Sequence, residues 1–502
     1  MESSFFSCAG GSSSSEMDIL LGFGSTAAGI SNATAYMEQH WDTWITEADF
    51  QKMASMGINT VRIPVGYWSA GPYFANNSAF ETYADVYYYS WRYVARAINW
   101  AAKYDIGVLV DLHGAYGSQN GQDHSGVSDG VIGFFTSAHM TQTTNLLVWM
   151  TQQLANVTNI VGIELLNEPV NRASLWPWYY RTMDAMRAVS SSIPLYFHDA
   201  FNGAQGAAFV ANRTDFIVQD HHSYYVYTPS DTAKSAKDHI TDVNGSIKDR
   251  YDSQSATARR NLVQGEWSCA LAPKSLSQAV NQTFAQMNFC TDQEAVYRET
   301  SSGFMFWSWT MDNCKNNGGW CFQQAVKKYL PSSFDSWGLV NVTAPMMNLT
   351  TTSSSGMSKL TSQISAIDLP ALATSNLKVK TINTKTSTTS VSPPEVARIG
   401  MVGSLASRAN NIVQQEKRAS STSAYASASG WSDGFLSAQI FANQGKLSRI
   451  GFAPQYQIDS FKLRLSAGEV VKSDASAYNA TFISGIQAAE KLIAQLINDF
   501  EV

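Results

Sequence analysis

No apolar run in this chain approaches the roughly 18 uncharged residues that a membrane span needs, so no transmembrane helix is expected. Charge of one sign is also scarce. The balance of 34 basic against 40 acidic residues gives −6, too mild to argue for nucleic acid or an anionic membrane as partner. Cysteine is sparse: Cys8, Cys269, Cys290, Cys314 and Cys321 include no C-x-x-C spacing, which argues against a zinc site or a thioredoxin-like motif. Two disulfides and one unpaired thiol are the simplest oxidised reading, with the pairing left open. The start, Met-Glu-Ser-Ser-Phe-Phe-Ser-Cys, lacks the basic n-region and apolar h-region of a secretory leader.

What is present is globular in character. Hydrophobic residues make up 44% of 502, enough for one large barrel of about 250 residues or more together with something else. Aromatic residues reach 12%, including 14 Trp and 22 Tyr, a composition suited to stacking on sugar faces and equally to a large aromatic core. N-x-S/T sequons begin at Asn32, Asn76, Asn156, Asn212, Asn244, Asn281, Asn341, Asn348 and Asn479. They favour secretion, in conflict with the leaderless start.

Periodicity sets out a succession of strands and helices. Thr46 with Asp49 reads as a capping arrangement before a helix carrying Phe50, Met53 and Met56, which Gly57 closes. Helical spacing recurs at Trp91, Val94, Ile98 and Ala101, at Leu147, Met150 and Leu154, at Met183, Met186 and Val189, and at Leu276, Val280 and Met287. Between these lie seven short apolar runs, ending near Pro64, His113, Glu168, Ala200, His222, Glu266 and Trp307. Strands alternating with helices predict a parallel α/β sheet. A closed (β/α)₈ barrel needs an eighth strand, and residues 1–40, rich in Gly, Ser and Ala, read as loop with short helical turns.

The expected domains are a barrel over 1–340, a Ser/Thr/Ala-rich, disordered linker over 341–430, and a helical segment over 431–502 of unassigned role. In that last segment Phe435, Ile440 and Phe441 share one helical stretch. Ile483, Ala488, Leu492, Leu496 and Phe500 share another.

Two of the seven runs deliver a carboxylate. Ile163-Glu164-Leu165-Leu166-Asn167-Glu168-Pro169 places Glu168 where Pro169 stops the ladder, and Leu262-Val263-Gln264-Gly265-Glu266-Trp267 ends in Glu266. In a parallel barrel both fall at the carboxyl-end mouth, where such folds keep their chemistry. Paired carboxylates are what glycoside hydrolysis requires: one protonates the leaving oxygen, the other attacks or activates water. Arg62, alone among apolar neighbours in Thr60 to Pro64, needs a carboxylate partner and is the first candidate to pair with a site Glu. Asp220-His221-His222 does not read as a metal site, because adjacent residues on a strand point to opposite faces. Asp123-His124-Ser125 are neighbours in one loop and cannot make triad geometry.

Seven motifs in unbroken order carry a resemblance over roughly residues 40–310. They are Val61-Arg62-Ile63-Pro64, Asp111-Leu112-His113-Gly114, Gly117-Ser118-Gln119-Asn120, Leu166-Asn167-Glu168-Pro169, His222-Ser223-Tyr224, Gly265-Glu266-Trp267 and Phe306-Trp307-Ser308-Trp309. Together they resemble glycoside hydrolase family 5, and more closely its fungal exo-β-1,3-glucanase branch. The resemblance implies a (β/α)₈ barrel, here without its first strand, and a retaining double displacement with Glu168 as acid/base and Glu266 as nucleophile. It further implies that Arg62 and Tyr224 hold Glu266 charged and aimed, that Asn167 binds the sugar 2-hydroxyl, that His113 and His222 bind substrate or tune Glu168, and that Trp307 floors the first subsite. Glu168 is expected to have a raised pKa.

The expected function is release of glucose from fungal β-glucan. The alternatives are an endo-β-1,4-glycanase of the same family or a non-catalytic glucan-binding cell-wall protein. No cofactor and no metal are called for. The expected partner is a β-glucan polysaccharide or oligosaccharide, with the protein a monomer. The expected location is extracellular or in the cell wall for a full-length parent, with a cytoplasmic one left open by the start. The family normally opens with a strand of Arg-Gly-Val-Asn-Leu-Gly type leading to a glucose-binding Glu, and this chain begins just after that point. The expectation is therefore an N-terminally incomplete gene model. Gln122 occupies a position commonly aromatic in the exo-glucanases, and Tyr227 stands where a second aromatic is expected.

Overall fold

The computed structural model describes residues 4–331, 362–364, 366–367, 423–444 and 453–498. The chain divides into two units, 1–334 and 335–502.

In the first unit seven parallel strands run in sequence order: β1 (Thr60–Gly66), β2 (Gly107–Gly114), β3 (Ile160–Glu164), β4 (Leu195–His198), β5 (Ile217–Ser223), β6 (Leu262–Trp267) and β7 (Phe304–Phe306). β1 and β7 approach each other without pairing, so the sheet curls into a nearly closed barrel of the (β/α)₈ type with seven of its eight strands. Every residue of β2 is buried, as expected of a parallel strand covered on both faces. Helices such as Ser90–Lys103, Ser137–Leu154, Leu175–Val189 and Gln282–Thr300 follow the strands, each cut to fit by its apolar face.

Among the described residues no strand lies between β1 and β7, and the N-terminal region differs from the loop expected there. It holds two helices, α1 (Glu16–Phe23) and α2 (Ala27–Thr43), ahead of α3 (Glu47–Ser55). Ser15 and Asp18 form a reciprocal capping box that starts α1, and the Thr26 side chain caps α2 by accepting from the Gly29 N–H. These caps were legible only as scattered Ser and Thr. Glu16 anchors α1 to the segment after β1 by accepting from Trp68 Nε1 (2.9 Å) and the Tyr87 hydroxyl (2.7 Å), while Ile19 and Leu20 enter the core.

Two other expectations are corrected. Val280 is fully exposed, between a short helix (Pro273–Ser277) and Gln282–Thr300, so Leu276, Val280 and Met287 do not line one helix. The β3 ladder ends at Glu164 rather than at Glu168. The chain beyond it is still held: Leu165 N–H donates to Tyr196 O (2.9 Å) and Asn167 N–H to Leu112 O (3.0 Å).

Disulfides join Cys269 to Cys290 and Cys314 to Cys321, and Cys8 is a free thiol.

Most of the expected linker, 341–430, lies outside the described residues. The second unit contains the helices Ser423–Gln444, Ala453–Ser466 and Ala475–Asn498, the first of which starts ahead of residue 431. Its core stripe on the last helix is Tyr478, Phe482, Ile486, Ala489 and Ile493, whereas Ile483 and Leu492 face outward. Glycines explain this rotation. A Cβ on Gly434 would lie 1.9 Å from Phe482 O, and one on Gly485 2.0 Å from Trp431 O, so the two long helices meet backbone to backbone along that face.

Candidate active site

The carboxyl ends of the strands converge on Arg62, from β1. Its Nε donates to Glu164 Oε2 (2.7 Å), its Nη1 to Glu266 Oε1 (2.8 Å) and its Nη2 to Asn167 Oδ1 (2.9 Å), with Asp111 Oδ2 at 3.0 Å. One guanidinium thus engages three buried carboxyl groups. A planar fork with five donors can do this where an ammonium cannot. Burial, together with Asp220 and Asp111, pushes the Glu164 carboxyl well above the usual range against the pull of Arg62.

Glu266, at the end of β6, receives a second hydrogen bond on its other oxygen, from the Tyr224 hydroxyl to Oε2 at 2.7 Å. The residue before it must be glycine: a Cβ on Gly265 would stand 2.0 Å from Asp220 Oδ2, and Gly265 N–H donates to Asp220 Oδ1 at 2.6 Å.

Glu168 is set on a turn with φ of 42°, an uncommon conformation for a residue with a side chain. The loop after β2 holds that turn in place. Gln119 Nε2 donates to Asn167 O (2.9 Å), and Asn120 Nδ2 donates to Glu168 O (3.0 Å). The Gly117-Ser118-Gln119-Asn120 motif therefore fastens the backbone on either side of the Asn167–Glu168 bond.

His222 links the two glutamates. Its Nδ1 lies 2.6 Å from Glu168 Oε1 and 3.5 Å from Glu266 Oε2, while its Nε2 faces Asp220 Oδ2 at 3.3 Å. The first two distances confine those carboxylate oxygens to a separation below the roughly 6.5–9.5 Å that inverting enzymes leave for a water. Burial alone would drive His222 towards neutrality, but Glu266, Asp220 and Glu168 raise its pKa well above the ordinary value.

The expected raised pKa of Glu168 is accordingly corrected. Burial pushes its carboxyl up, but the hydrogen bond and charge of His222, with His198 and His124 close by, hold it below the usual carboxylate range. The proton of the pair rests on His222. Two of the neighbouring imidazoles behave in the opposite way: burial, with His222 and for His124 also His113 adding to it, brings His198 and His124 down to about 4. In ¹⁵N-histidine spectra recorded from pH 8 to 4, His198 and His124 should stay neutral at pH 6, where an ordinary imidazole is mostly charged, and His222 should already be protonated at pH 7. A His198 or His124 midpoint near 6.5 would contradict this electrostatic picture.

The mouth is aromatic. Trp307, after β7, lies parallel to the His113 ring (5.6 Å, 3°), and the Trp307–Ser308 peptide is cis. Tyr224 meets Trp320 at 5.3 Å and Tyr227 at 5.7 Å, and Tyr227 is 70% exposed, available to a ligand. Gln122 is exposed on the loop after β2.

All eight residues singled out from the sequence are thus gathered at this end of the barrel. Sequence reasoning did not single out Glu164, Asp220, His198, His124 or Trp320 as parts of the site. Glu164 carried a signal, an acid inside an apolar run, of the same kind that marked Arg62, whereas Asp220 stands among Gln219, His221 and His222. Ligand atoms of Glu168, His198 and His222 lie within 4.8 Å of one another, as do those of Glu164, Asp220 and His222. In both groups His222 already faces carboxylates through both nitrogens and Arg62 donates to Glu164 Oε2, while His198 Nε2 and Glu164 Oε1 are buried without a hydrogen-bond partner.

The comparisons agree with this geometry. Residues 24–313 match the family model described as cellulase (glycosyl hydrolase family 5). A glucan 1,3-beta-glucosidase 3 of Schizosaccharomyces pombe is 31% identical over 322 residues, 63% of this chain and 68% of that protein. A glucan 1,3-beta-glucosidase of Kluyveromyces lactis is 35% identical over 252 residues, covering 47% of this chain and 54% of the relative. A probable glucan 1,3-beta-glucosidase A of Aspergillus terreus is also 35% identical, over 48% and 57%. The chain thus spans little more than half the length of two of these three relatives. Among solved structures, the rutinosidase from Aspergillus niger superposes with a TM-score of 0.52 at 18% identity, over 65% of this chain and 92% of that one, a likeness of fold. With the family model covering more than half its length and a barrel of the matching architecture, this chain belongs to glycosyl hydrolase family 5.

Proposed function

We propose that the protein is a retaining β-glucan glycosidase that releases glucose from the end of a β-1,3-glucan. The observation that carries this reading is the single His222 Nδ1 within 2.6 Å of Glu168 and 3.5 Å of Glu266, which brings two carboxyl groups close enough for direct attack on an anomeric carbon between them. The naming of three relatives as glucan 1,3-beta-glucosidases supports the substrate.

In this mechanism Glu266, oriented by Arg62 and Tyr224, attacks the anomeric carbon as the glycosidic bond breaks. Glu168 protonates the departing oxygen and then takes a proton from the water that hydrolyses the glucosyl-enzyme. A sugar closing over Glu168 removes its remaining solvent and favours the neutral carboxyl, so the proton resting on His222 Nδ1 passes to Glu168. Asn167 meets the sugar 2-hydroxyl, His113 the substrate, and Trp307 stacks under the ring in the first subsite.

An extracellular or cell-wall location belongs to the same proposal. It is supported by the two disulfides, which persist in oxidising compartments, and by the exposure of all seven described sequon asparagines. No helix among the described residues is long and apolar enough to cross a membrane. The protein is proposed to act as a monomer.

Product analysis tests this reading. Incubation with laminarin-type β-1,3-glucan should give free glucose from the first time point. A ladder of oligosaccharides would indicate endo action. Tight binding with no reducing sugar released over a day would indicate a non-catalytic glucan-binding protein.

A further inference from the structure

The loop between β2 and the helix Ser137–Leu154 carries Gln119 and Asn120, which fasten the Glu168 turn, yet its only regular structure is the short turn Asp123–Ser125. Its base is closed. Gly133 N–H donates to Gly117 O (2.6 Å) and Phe134 N–H to Ser118 O (3.1 Å), so residues 119–132 make one closed excursion. Within it the Ser118 hydroxyl accepts from Gly121 N–H (2.8 Å) and meets the Ser125 hydroxyl at 2.6 Å, and Ser125 Oγ donates to Gln122 O (2.7 Å). These short links join the middle of the loop to Asn120.

Three successive residues at the start of α1 grip that middle. Met17 N–H donates to Gly126 O (3.1 Å), and Ser128 Oγ donates to the Asp18 carboxylate, 2.9 Å from Oδ2 and 3.1 Å from Oδ1. Glu16 acts through Trp68, whose Nε1 it holds. A Cβ on Gly126 would stand 2.1 Å from Trp68 Cη2, one on Gly114 2.7 Å from the same atom, and one on Gly66 2.2 Å from Cζ2, so one indole fills the space between the loop and the ends of β1 and β2. Asp18 is itself fixed, because its Oδ2 also accepts from Ser12 Oγ (2.8 Å), Ser15 N–H (3.0 Å) and Ser14 N–H (3.1 Å). Against burial, these bonds and the one from Ser128 hold its carboxyl at about 2, an ionised acceptor at mildly acidic and neutral pH alike.

From these contacts we infer that Asp18 is a positioning residue for the acid/base: through Ser128 it fixes the middle of the β2 loop, and the loop in turn fixes Glu168 through Asn120 Nδ2 on Glu168 O. Glu168 depends on such support. Its φ of 42° is a conformation that persists only while the surroundings impose it, so a loosened loop lets the carboxyl leave the place from which it protonates the departing oxygen. A misplacement of about 1 Å can cost about 10²-fold in rate. Glu266 has separate support, from Arg62 on β1 and from Tyr224 after β5, and stays aimed when the loop is freed. Asp18 therefore serves one of the two glutamates and not the other.

The inference rests on the glycosidase reading, and its test separates the two. With the full chain, kcat/KM is measured on a laminari-oligosaccharide, whose leaving group needs protonation, and on 2,4-dinitrophenyl β-glucoside, whose leaving group does not. Asp18→Ala and Ser128→Ala break the grip from its two sides. They should lose about tenfold and about fivefold on the oligosaccharide, and less than about twofold each on the aryl glucoside. Ser128→Ala leaves the cap of α1 intact, so the test stands even where Asp18→Ala fails to fold. Ser128→Thr, which keeps the hydroxyl, should stay within about twofold of the unmodified protein on both substrates. Equal losses of Ser128→Ala on both substrates, no loss on the oligosaccharide, or a Thr variant as impaired as the Ala variant would overturn the inference alone. An unmodified protein that cleaves neither substrate would overturn the glycosidase reading and this inference with it.

Discussion

Glu266→Ala should lose activity by several orders of magnitude on β-1,3-glucan and on activated aryl glucosides alike, because no covalent intermediate can form on either. Glu168→Ala should behave differently. Loss of the general acid is expected to cost about 10²–10⁴-fold on glucan, where the leaving sugar alkoxide must be protonated. On 2,4-dinitrophenyl β-glucoside the same variant should keep much of its kcat/KM and lose mainly in kcat, since Glu168 still acts as base when water attacks the intermediate. The contrast is the informative part. A Glu266→Ala protein that still hydrolyses glucan, or a Glu168→Ala protein equally crippled in kcat/KM on both substrates, would show the two roles to be misassigned.

Arg62 should be the residue whose loss is felt both in stability and in activity. It is 4% exposed at the side chain and engages Glu164, Glu266 and Asp111 at 2.7 to 3.0 Å. Arg62→Met keeps much of the volume but leaves those acids facing one another without a cation, and breaking a buried pair by removing one partner costs about 3–5 kcal/mol. Activity should fall as well, because one of the two hydrogen bonds that aim Glu266 is gone. Adding Glu164→Gln to this variant should recover part of the stability, because burial already disfavours the charge on Glu164, and little of the activity, since only Glu266 has to attack. Urea midpoints of the single and double variants measure the first effect, and initial rates on an aryl glucoside the second. An Arg62→Met protein with an unchanged midpoint would contradict the charge accounting of the buried cluster.

The parts of this molecule that could be read from sequence are those where one physical signal dominates. Short runs with apolar residues bounded by Gly, Pro or Asn marked all seven strands, because the strands of a parallel barrel lie between its interior and the helices packed outside. Arg62 stood out because a charge inside such a run must be answered. Glu168 was found for a related reason, but its backbone was not: the ladder stops at Glu164, and the turn that presents Glu168 is held by side chains of Gln119 and Asn120, which no periodicity reveals.

His124, His198 and Trp320 were missed because each meets Glu168, His222 or Tyr224 only once strands far apart in sequence stand side by side in the sheet or bring their following loops together. The pKa of Glu168 was misjudged for the same reason. Burial was foreseeable, whereas the imidazoles converging on one carboxylate were not. On the C-terminal helix the stripe slipped because the contact face was set by glycines, which a search for large apolar residues passes over.

The central claim is double displacement between Glu168 and Glu266, and the stereochemistry of the first product tests it most directly. Proton NMR of β-1,3-glucan digestion, followed from mixing and before mutarotation equilibrates the sugar, should show β-glucose appearing first and α-glucose only later. α-Glucose as the first anomer would mean that water, not Glu266, attacks the anomeric carbon, and would contradict the account.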